Sequence, residues 1–275
     1  MAGDLERHID RLIRQRPASR EALESFKGLL GLTRGIEPKA HPIEMQEGLV
    51  SLKRKQGFPL FAREALPLDL GASGDLLAKF LEYLSALERE DKKGLEEAYQ
   101  RSAARPGWAI ELLRVVLKKD EEVLSKMAGE VDLESNTLYF LGLMSLRPAL
   151  AALRQGLSYK MDKKDWPYGY CPLCGSQPDI SFFDRSGKRH LHCELCGEEW
   201  PHPRLTCPFC QNQDHEALGY FEAESEEGLR VDFCRKCLRY LKVVDKRAFE
   251  ETAPMELEAL ATLHLDVLAL EQGFK

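Results

Sequence analysis

From Leu5 to about Gly156, apolar residues recur every three or four positions, the period of helices that bury one face. Leu5, Ile9 and Leu12 share the face of a first helix that Pro17 ends; Ser19 is placed to cap a second, with Leu23, Phe26 and Leu30 inward. The stretch PIEMQEGLVSLKRKQG reads as a third helix, and Asp75 to Glu90 carries a stripe of Leu77, Phe80, Leu81, Leu84 and Leu87. Two or three further helices fill Leu95 to Gly156, the last bent or restarted near Pro148, because proline removes a helix hydrogen bond. No catalytic-triad signature, Gly-rich phosphate loop or His-Glu-x-x-His pattern falls on these helices, so their stripes read as core.

Near Lys160 the period changes. YKMDKKDWPYGY is polar and then aromatic, and Pro167 and Gly169 interrupt any helix, as at a domain junction. Short runs follow between turns, DISFFD, KRHLHC, ALGYFEA, RVDFC and RYLKVV, and these read as strands. APMELEALATLHLDVLALEQGF then reads as a closing helix with Leu257, Leu260, Ala261, His264, Val267 and Leu268 on one face. The expected architecture is α plus small β. A helical domain spans 1–160, two tandem rubredoxin-like or zinc-ribbon modules span 161–203 and 204–247, and a C-terminal helix spans 248–275.

With 275 residues the chain can bury a sizeable core, and 44% hydrophobic with 31% charged residues is a globular composition. MAGDLERHIDRLIRQRP is charged throughout and does not read as a signal peptide; no apolar run approaches the roughly 20 residues of a membrane span. A cytoplasmic protein without membrane insertion is expected.

The eight cysteines change the picture most. All lie between Cys171 and Cys237, in four pairs with two residues between partners: Cys171/Cys174, Cys193/Cys196, Cys207/Cys210 and Cys234/Cys237. Cys171-Pro-Leu-Cys174 is followed after 18 residues by the second pair, and Cys207-Pro-Phe-Cys210 after 23 residues by the fourth. A secreted disulfide scaffold would spread its cysteines through a short chain, and a thioredoxin-type pair would sit in a βαβ context. The tandem spacing instead suits two four-cysteine metal sites, with ligands paired within each half in preference to an interleaved arrangement. A tight turn lets both sulfurs of a pair aim at one point, with Pro fixing φ and Gly tolerating the positive φ that follows. Four thiolates suit one zinc or one iron per site. They leave no open coordination position, so the sites are structural or redox rather than hydrolytic.

His190, His192, His202 and His215 lie nearby, but eight cysteines already fill two sites, and the histidines read as surface or supporting groups. If its segment is extended, His192 points away from the Cys193 thiol. His264 reads as a hydrogen-bonded core residue. Cys171 to Asp245 holds nine basic and thirteen acidic residues, a local charge of −4, and FEAESEEG is an acidic tip. The whole chain carries −6. Neither balance suits nucleic acid, and protein–protein contact is the better use of such ribbons.

YCPLCGSQPDISFF, LHCELCGEEW, RLTCPFC and FCRKCLRYLKVVD, in this order, resemble the FdhE family of formate dehydrogenase accessory proteins. The matching positions are Cys171, Pro172, Cys174, Gly175, Ser176 and Pro178, then Leu191, His192, Cys193, Leu195, Cys196 and Trp200, then Cys234, Cys237, Tyr240, Leu241 and Lys242. The resemblance is close over the cysteine region and extends only to layout elsewhere. It implies a cytoplasmic protein that is not an enzyme and is needed for production of active formate dehydrogenase. It also implies binding to that enzyme's catalytic subunit and rubredoxin-like iron centres on the paired cysteines. Two other functions fit the cysteines alone: a rubredoxin-like electron carrier, and a zinc-ribbon adaptor, against which the local acidity argues.

Overall fold

The computed structural model describes residues 2–33, 36, 46–105, 107–157, 163, 166–223 and 226–275. Helices α1 (Ala2–Gln15), α2 (Arg20–Leu32) and α3 (Glu47–Lys55) open the chain. Then come α4 (Leu70–Ser85), α5 (Lys92–Ala104), α6 (Gly107–Lys118), α7 (Glu121–Gly129) and α8 (Ser135–Leu157). Six strands follow: β1 (Pro178–Phe183), β2 (Arg189–Cys193), β3 (Glu199–Pro201), β4 (Leu218–Glu222), β5 (Leu229–Cys234) and β6 (Arg239–Asp245). Helices α9 (Met255–Ala261) and α10 (Leu263–Glu271) close it. The expected class, helices followed by a small sheet carrying two cysteine groups and then C-terminal helix, is the observed one.

Details differ from the sequence reading for local reasons. Ser19 does not cap α2; it ends a short 3-10 turn, and its hydroxyl has no hydrogen-bond partner among the described residues. Helix α4 starts before Asp75 because Asp69 accepts from the Ala72 amide and caps it, and Leu87 falls beyond its end. Among the described residues between Leu95 and Gly156 there are four helices, and the last continues through Pro148 without restarting. The first residues of the expected third helix, and most of the junction around Lys160, lie outside the described residues. The closing helix is two helices. Thr262, at φ −120° and ψ 24°, breaks it, so Leu265 and Ala269 turn inward and Val267 outward. The three-residue strand β3 carried no alternation to announce it.

Compactness divides the chain into two units. One comprises Met1–Lys27, Met45–Phe61 and Tyr159–Lys275; the other comprises Gly28–Glu44 and Ala62–Ser158. Helices α1 and α3 therefore belong with the sheet, a grouping that secondary structure does not suggest. In the second unit α4 packs on α5, α6 and α8, burying Leu77, Phe80, Leu112, Val116 and Leu141.

In the first unit the six strands make one sheet in the order β3-β2-β1-β6-β5-β4. Each cysteine module contributes an antiparallel three-strand meander. The two meanders join where β1 pairs parallel with β6, from Ile180 opposite Lys242 to Phe183 opposite Asp245. On one face Ile180, Phe182, Leu229, Val231 and Val244 bury themselves with Met255, Leu265 and Ala269 of α9 and α10. Polar contacts fix the same layer. Lys242 Nζ donates to Asp266 Oδ2 at 2.7 Å and to the Ala259 carbonyl at 2.8 Å, and the Tyr240 hydroxyl donates to Asp266 Oδ1 at 2.9 Å. Arg16, just past α1, donates to Glu258 of α9 at 2.6 Å, with both side chains buried.

Candidate metal centre

One backbone device builds all four cysteine knuckles. The amide of the fourth residue after the leading cysteine donates back to that cysteine's carbonyl: Gly175 to Cys171, Gly197 to Cys193, Gln211 to Cys207 and Leu238 to Cys234, at 2.9, 3.2, 3.0 and 2.8 Å. That fourth residue always has positive φ, +75°, +69°, +58° and +57° in the same order. Glycine takes this conformation without strain, and the first module uses it twice; the second holds Gln211 and Leu238 there instead. In three knuckles the leading cysteine's amide is also tied across the turn, Cys171 to Ser176 O, Cys193 to Glu198 O and Cys207 to Asn212 O, at 2.8, 2.9 and 2.9 Å.

Hairpins β1–β2 and β4–β5 deliver Cys193 and Cys234 from their strand ends to the knuckles that precede them. The result is two groups, Cys171, Cys174, Cys193 and Cys196, and Cys207, Cys210, Cys234 and Cys237. The grouping is within each half of the sequence. In the first, sulfurs lie 3.6 Å apart for Cys171–Cys196, 3.5 Å for Cys174–Cys193 and 3.6 Å for Cys174–Cys196. In the second, Cys207–Cys237 and Cys210–Cys234 are both 3.7 Å apart. These separations exclude disulfides. Four sulfurs at the Zn–S distance of about 2.3 Å from a central ion would lie about 3.8 Å from one another, so the donor sets fit a tetrahedral ion closely. Each group could hold one metal ion, and tetrahedral four-sulfur sites take zinc or iron.

The electrostatics favour a cation. Burial pushes the Cys171 and Cys193 thiols well above the ordinary thiol range, and burial also raises Cys207. Hydrogen bonds from its three neighbouring cysteines hold Cys174 well below that range instead, so the crowded sulfurs share protons unequally, and a positive charge in their midst would let all four ionise. The Leu173 amide points at Cys171 Sγ at 3.4 Å, one turn dipole aimed at a sulfur.

None of the described histidines joins either group. His190 bonds Asp184 at 3.0 Å and stacks on Phe182, while His215 is exposed. His192 is buried, with Nδ1 2.8 Å from Asp179. His202 is buried with Nδ1 on the Pro203 carbonyl; burial first, and then the Arg189 charge, lowers its pKa to about 4. His264 bonds Glu226 at 2.6 Å.

Sequence reasoning missed what surrounds the first group. The segment Gly57–Phe61 lies along its leading knuckle: the Leu60 and Phe61 amides donate to Pro172 O and Leu173 O, both at 2.9 Å. The Tyr170 hydroxyl donates to Gly57 O at 2.5 Å. Trp166, Tyr168 and Tyr170 pack ring on ring within 5.4 Å, and Trp200 Nε1 donates to Tyr168 O at 3.0 Å. The only sequence signal for this brace is the turn-forming Gly57 and Pro59, which say nothing about their distant partner.

Fold and site together define an α-plus-β protein with paired four-cysteine ribbons in one sheet, each cysteine group able to hold a metal ion. The model for "FdhE, central domain" matches residues 170–204. A protein FdhE homolog from Aquifex aeolicus is 31% identical over 186 residues, 66% of this chain and 64% of that protein. The match thus spans just under two thirds of that relative's length. One from Cronobacter sakazakii is 27% identical over 256 residues, 90% of this chain and 77% of that protein. The crystal structure of the FdhE protein from Pseudomonas aeruginosa shares the fold, with a TM-score of 0.70 at 24% identity, covering 100% of this chain and 93% of that one. The chain belongs to the FdhE family.

Proposed function

We propose that this protein is a cytoplasmic accessory protein, not an enzyme, that assists production of active formate dehydrogenase by binding its catalytic subunit. In this reading Cys171, Cys174, Cys193 and Cys196 hold one metal ion, and Cys207, Cys210, Cys234 and Cys237 hold a second. The observation that carries it is the pair of closed four-sulfur groups in a member of this family. A closed sulfur cage has no position for substrate, which suits a structural or redox role and not hydrolysis. Among the described residues no helix is long and apolar enough to cross a membrane. When bound, zinc would supply rigidity; iron would add a one-electron redox centre.

The test has two parts. Elemental analysis after anaerobic purification should give two ions per chain, coloured if iron and colourless if zinc; one ion or none rejects the metal assignment. Tagged protein from its native cells, grown with formate, should co-purify the formate dehydrogenase catalytic subunit, and its deletion should abolish formate oxidation. Absence of the subunit in every condition that induces the enzyme rejects the client.

A second reading, an electron carrier, is favoured by one feature: Cys210 and Cys237 keep part of their surface exposed. Reversible reduction of bound iron at a useful rate, with no client captured, would select it.

A further inference from the structure

The sheet face opposite α9 and α10 carries a cavity of about 110 Å³ beside the second cysteine group, lined by Arg189, Arg204, Arg230 and Arg239 among others. Four guanidiniums meet a single carboxylate there, Asp232, which lies 2.9 Å from Arg230 Nε and 3.6 Å from Arg189. Arg204 and Arg239 have no carboxylate partner among the described residues. Arg189 is buried, and its Nε has no hydrogen-bond partner among the described residues. In a chain of net charge −6, whose ribbon region is itself acidic, this concentration of arginine is local and specific.

Aromatic rings pack against three of these four guanidiniums. Arg230 lies between Phe183 and Tyr220, 4.8 and 4.5 Å from the ring centroids. Arg204 covers Phe183 at 4.5 Å, and Arg239 covers Phe209, inside the third knuckle, at 3.7 Å. A stacked guanidinium keeps its in-plane N–H groups free for the two oxygens of a carboxylate. Leu205 and Tyr220, 71% and 58% exposed, add apolar surface.

The cavity adjoins an open sheet edge. Strand β4, Leu-Gly-Tyr-Phe-Glu, contributes Leu218, Gly219 and Tyr220 to the lining and is the last strand of the sheet, paired only with β5. It carries no proline, lysine or bulge, and its one charged guard is Glu222 at the end farthest from the lining residues Leu218, Gly219 and Tyr220. An extended peptide added to such an edge gains a ladder of backbone hydrogen bonds, while alternate side chains enter neighbouring pockets.

We propose that the β4 edge and the arginine-lined cavity beside it form a docking site for an extended acidic segment of a partner protein. The inference deepens the functional reading above and rests on it for the partner's identity. A peptide is favoured over nucleic acid because only a polypeptide backbone can continue the sheet.

The test is fluorescence anisotropy on the full chain with its metals. The probes are a labelled peptide alternating valine and glutamate, its valine–glutamine counterpart, and an oligouridylate. The glutamate peptide should bind at least about tenfold more tightly than the glutamine peptide, and Arg204→Gln with Arg239→Gln should cost it about tenfold. Circular dichroism and metal content should be unchanged in that double variant, because Arg204 is exposed and Arg239 half-buried. No binding of the glutamate peptide, equal binding of the glutamine peptide, tighter binding of the oligouridylate, or an indifferent double variant each overturns the site. Client capture separates the two claims. A formate dehydrogenase subunit held equally by native protein and double variant overturns the docking site and leaves the function standing. Arginine-dependent peptide binding by a protein that captures no such subunit overturns the function and leaves the site.

Discussion

The same knuckle is used four times, yet the two cysteine groups end in different surroundings. In the first, every cysteine is at most 4% exposed. In the second, Cys207 and Cys234 are buried while Cys210 and Cys237 are only partly covered. The ligand type and the two-residue spacing within each pair are the same in both. The difference goes with cover: Gly57–Phe61 is hydrogen-bonded along the leading knuckle of the first group, with Trp166, Tyr168 and Tyr170 clustered beside it. Gly169 of that cluster also abuts the Pro208 backbone in the second group's leading knuckle. Beside the second lie the arginine-lined cavity and an open strand edge. One site is thus placed as an internal staple, and the other as a site that solvent and partners can reach.

Removing a ligand should break the contrast most strongly. The apparent binding energy of a structural four-ligand ion is folding energy, on the order of 10 kcal/mol. Cys193→Ser should release the first ion and destabilise the sheet-bearing unit by about 5 kcal/mol or more, because a buried cage loses its cation. Cys237→Ser, at the half-covered site, should release only the second ion and cost about 3 kcal/mol or less. Metal content with thermal unfolding checks both. Equal losses would mean that cover has no energetic weight.

A kinetic version follows. Release requires local opening, and a sealed site needs the larger one. Zinc-loaded protein challenged with excess chelator should lose its ions in two phases of one equivalent each, separated by at least about tenfold in rate. The fast phase should be missing in Cys237→Ser. A single phase of two equivalents would contradict the assignment of cover.

The brace itself can be loosened. Gly57 has φ +75°, and a Cβ there would lie 2.7 Å from the Tyr168 ring. Gly57→Ala should cost about 1–2 kcal/mol and accelerate only the slow phase of release. Acceleration of the fast phase as well would show that the segment covers both sites.

Why the cysteine groups were legible and their cover was not follows from locality. The eight cysteines, their turns and five of the six strands are marked by residues within a few positions of one another. The pairing of β1 with β6 joins Phe183 to Asp245 across 62 positions, and nothing in either strand names its partner. The same holds for Leu60 on Pro172, for Arg16 on Glu258, and for arginines 204, 230 and 239 gathered at one cavity. Thr262 shows a local failure of the same method. The apolar period runs on through it, but the backbone breaks there, and the buried face shifts from Val267 to Leu265 and Ala269. Tyr240 and Lys242, read as part of a strand and of a family motif, both grip Asp266 and fasten α10 to the sheet.

The smallest expected effect compares the knuckles themselves. Leu238 holds the left-handed position that Gly197 holds in the equivalent knuckle of the first module, at φ +57° against +69°. A branched side chain there costs roughly 1 kcal/mol, which glycine removes, although glycine also widens the unfolded ensemble and offsets part of the gain. The Leu238 side chain is half exposed, so little burial is lost with it. Leu238→Gly should therefore stabilise the metal-loaded protein by about 0.5 kcal/mol. The reverse exchange isolates the backbone cost, because a Cβ on Gly197 meets only His192 Nε2 at 3.6 Å, an ordinary contact. Gly197→Ala should destabilise by about 1 kcal/mol, with both ions retained. Denaturant midpoints of the two variants against the native chain measure the pair. Opposite signs mean that one backbone rule governs both modules. A loss in Leu238→Gly means that the second knuckle depends on its side chain, and that the two modules differ in construction as well as in cover.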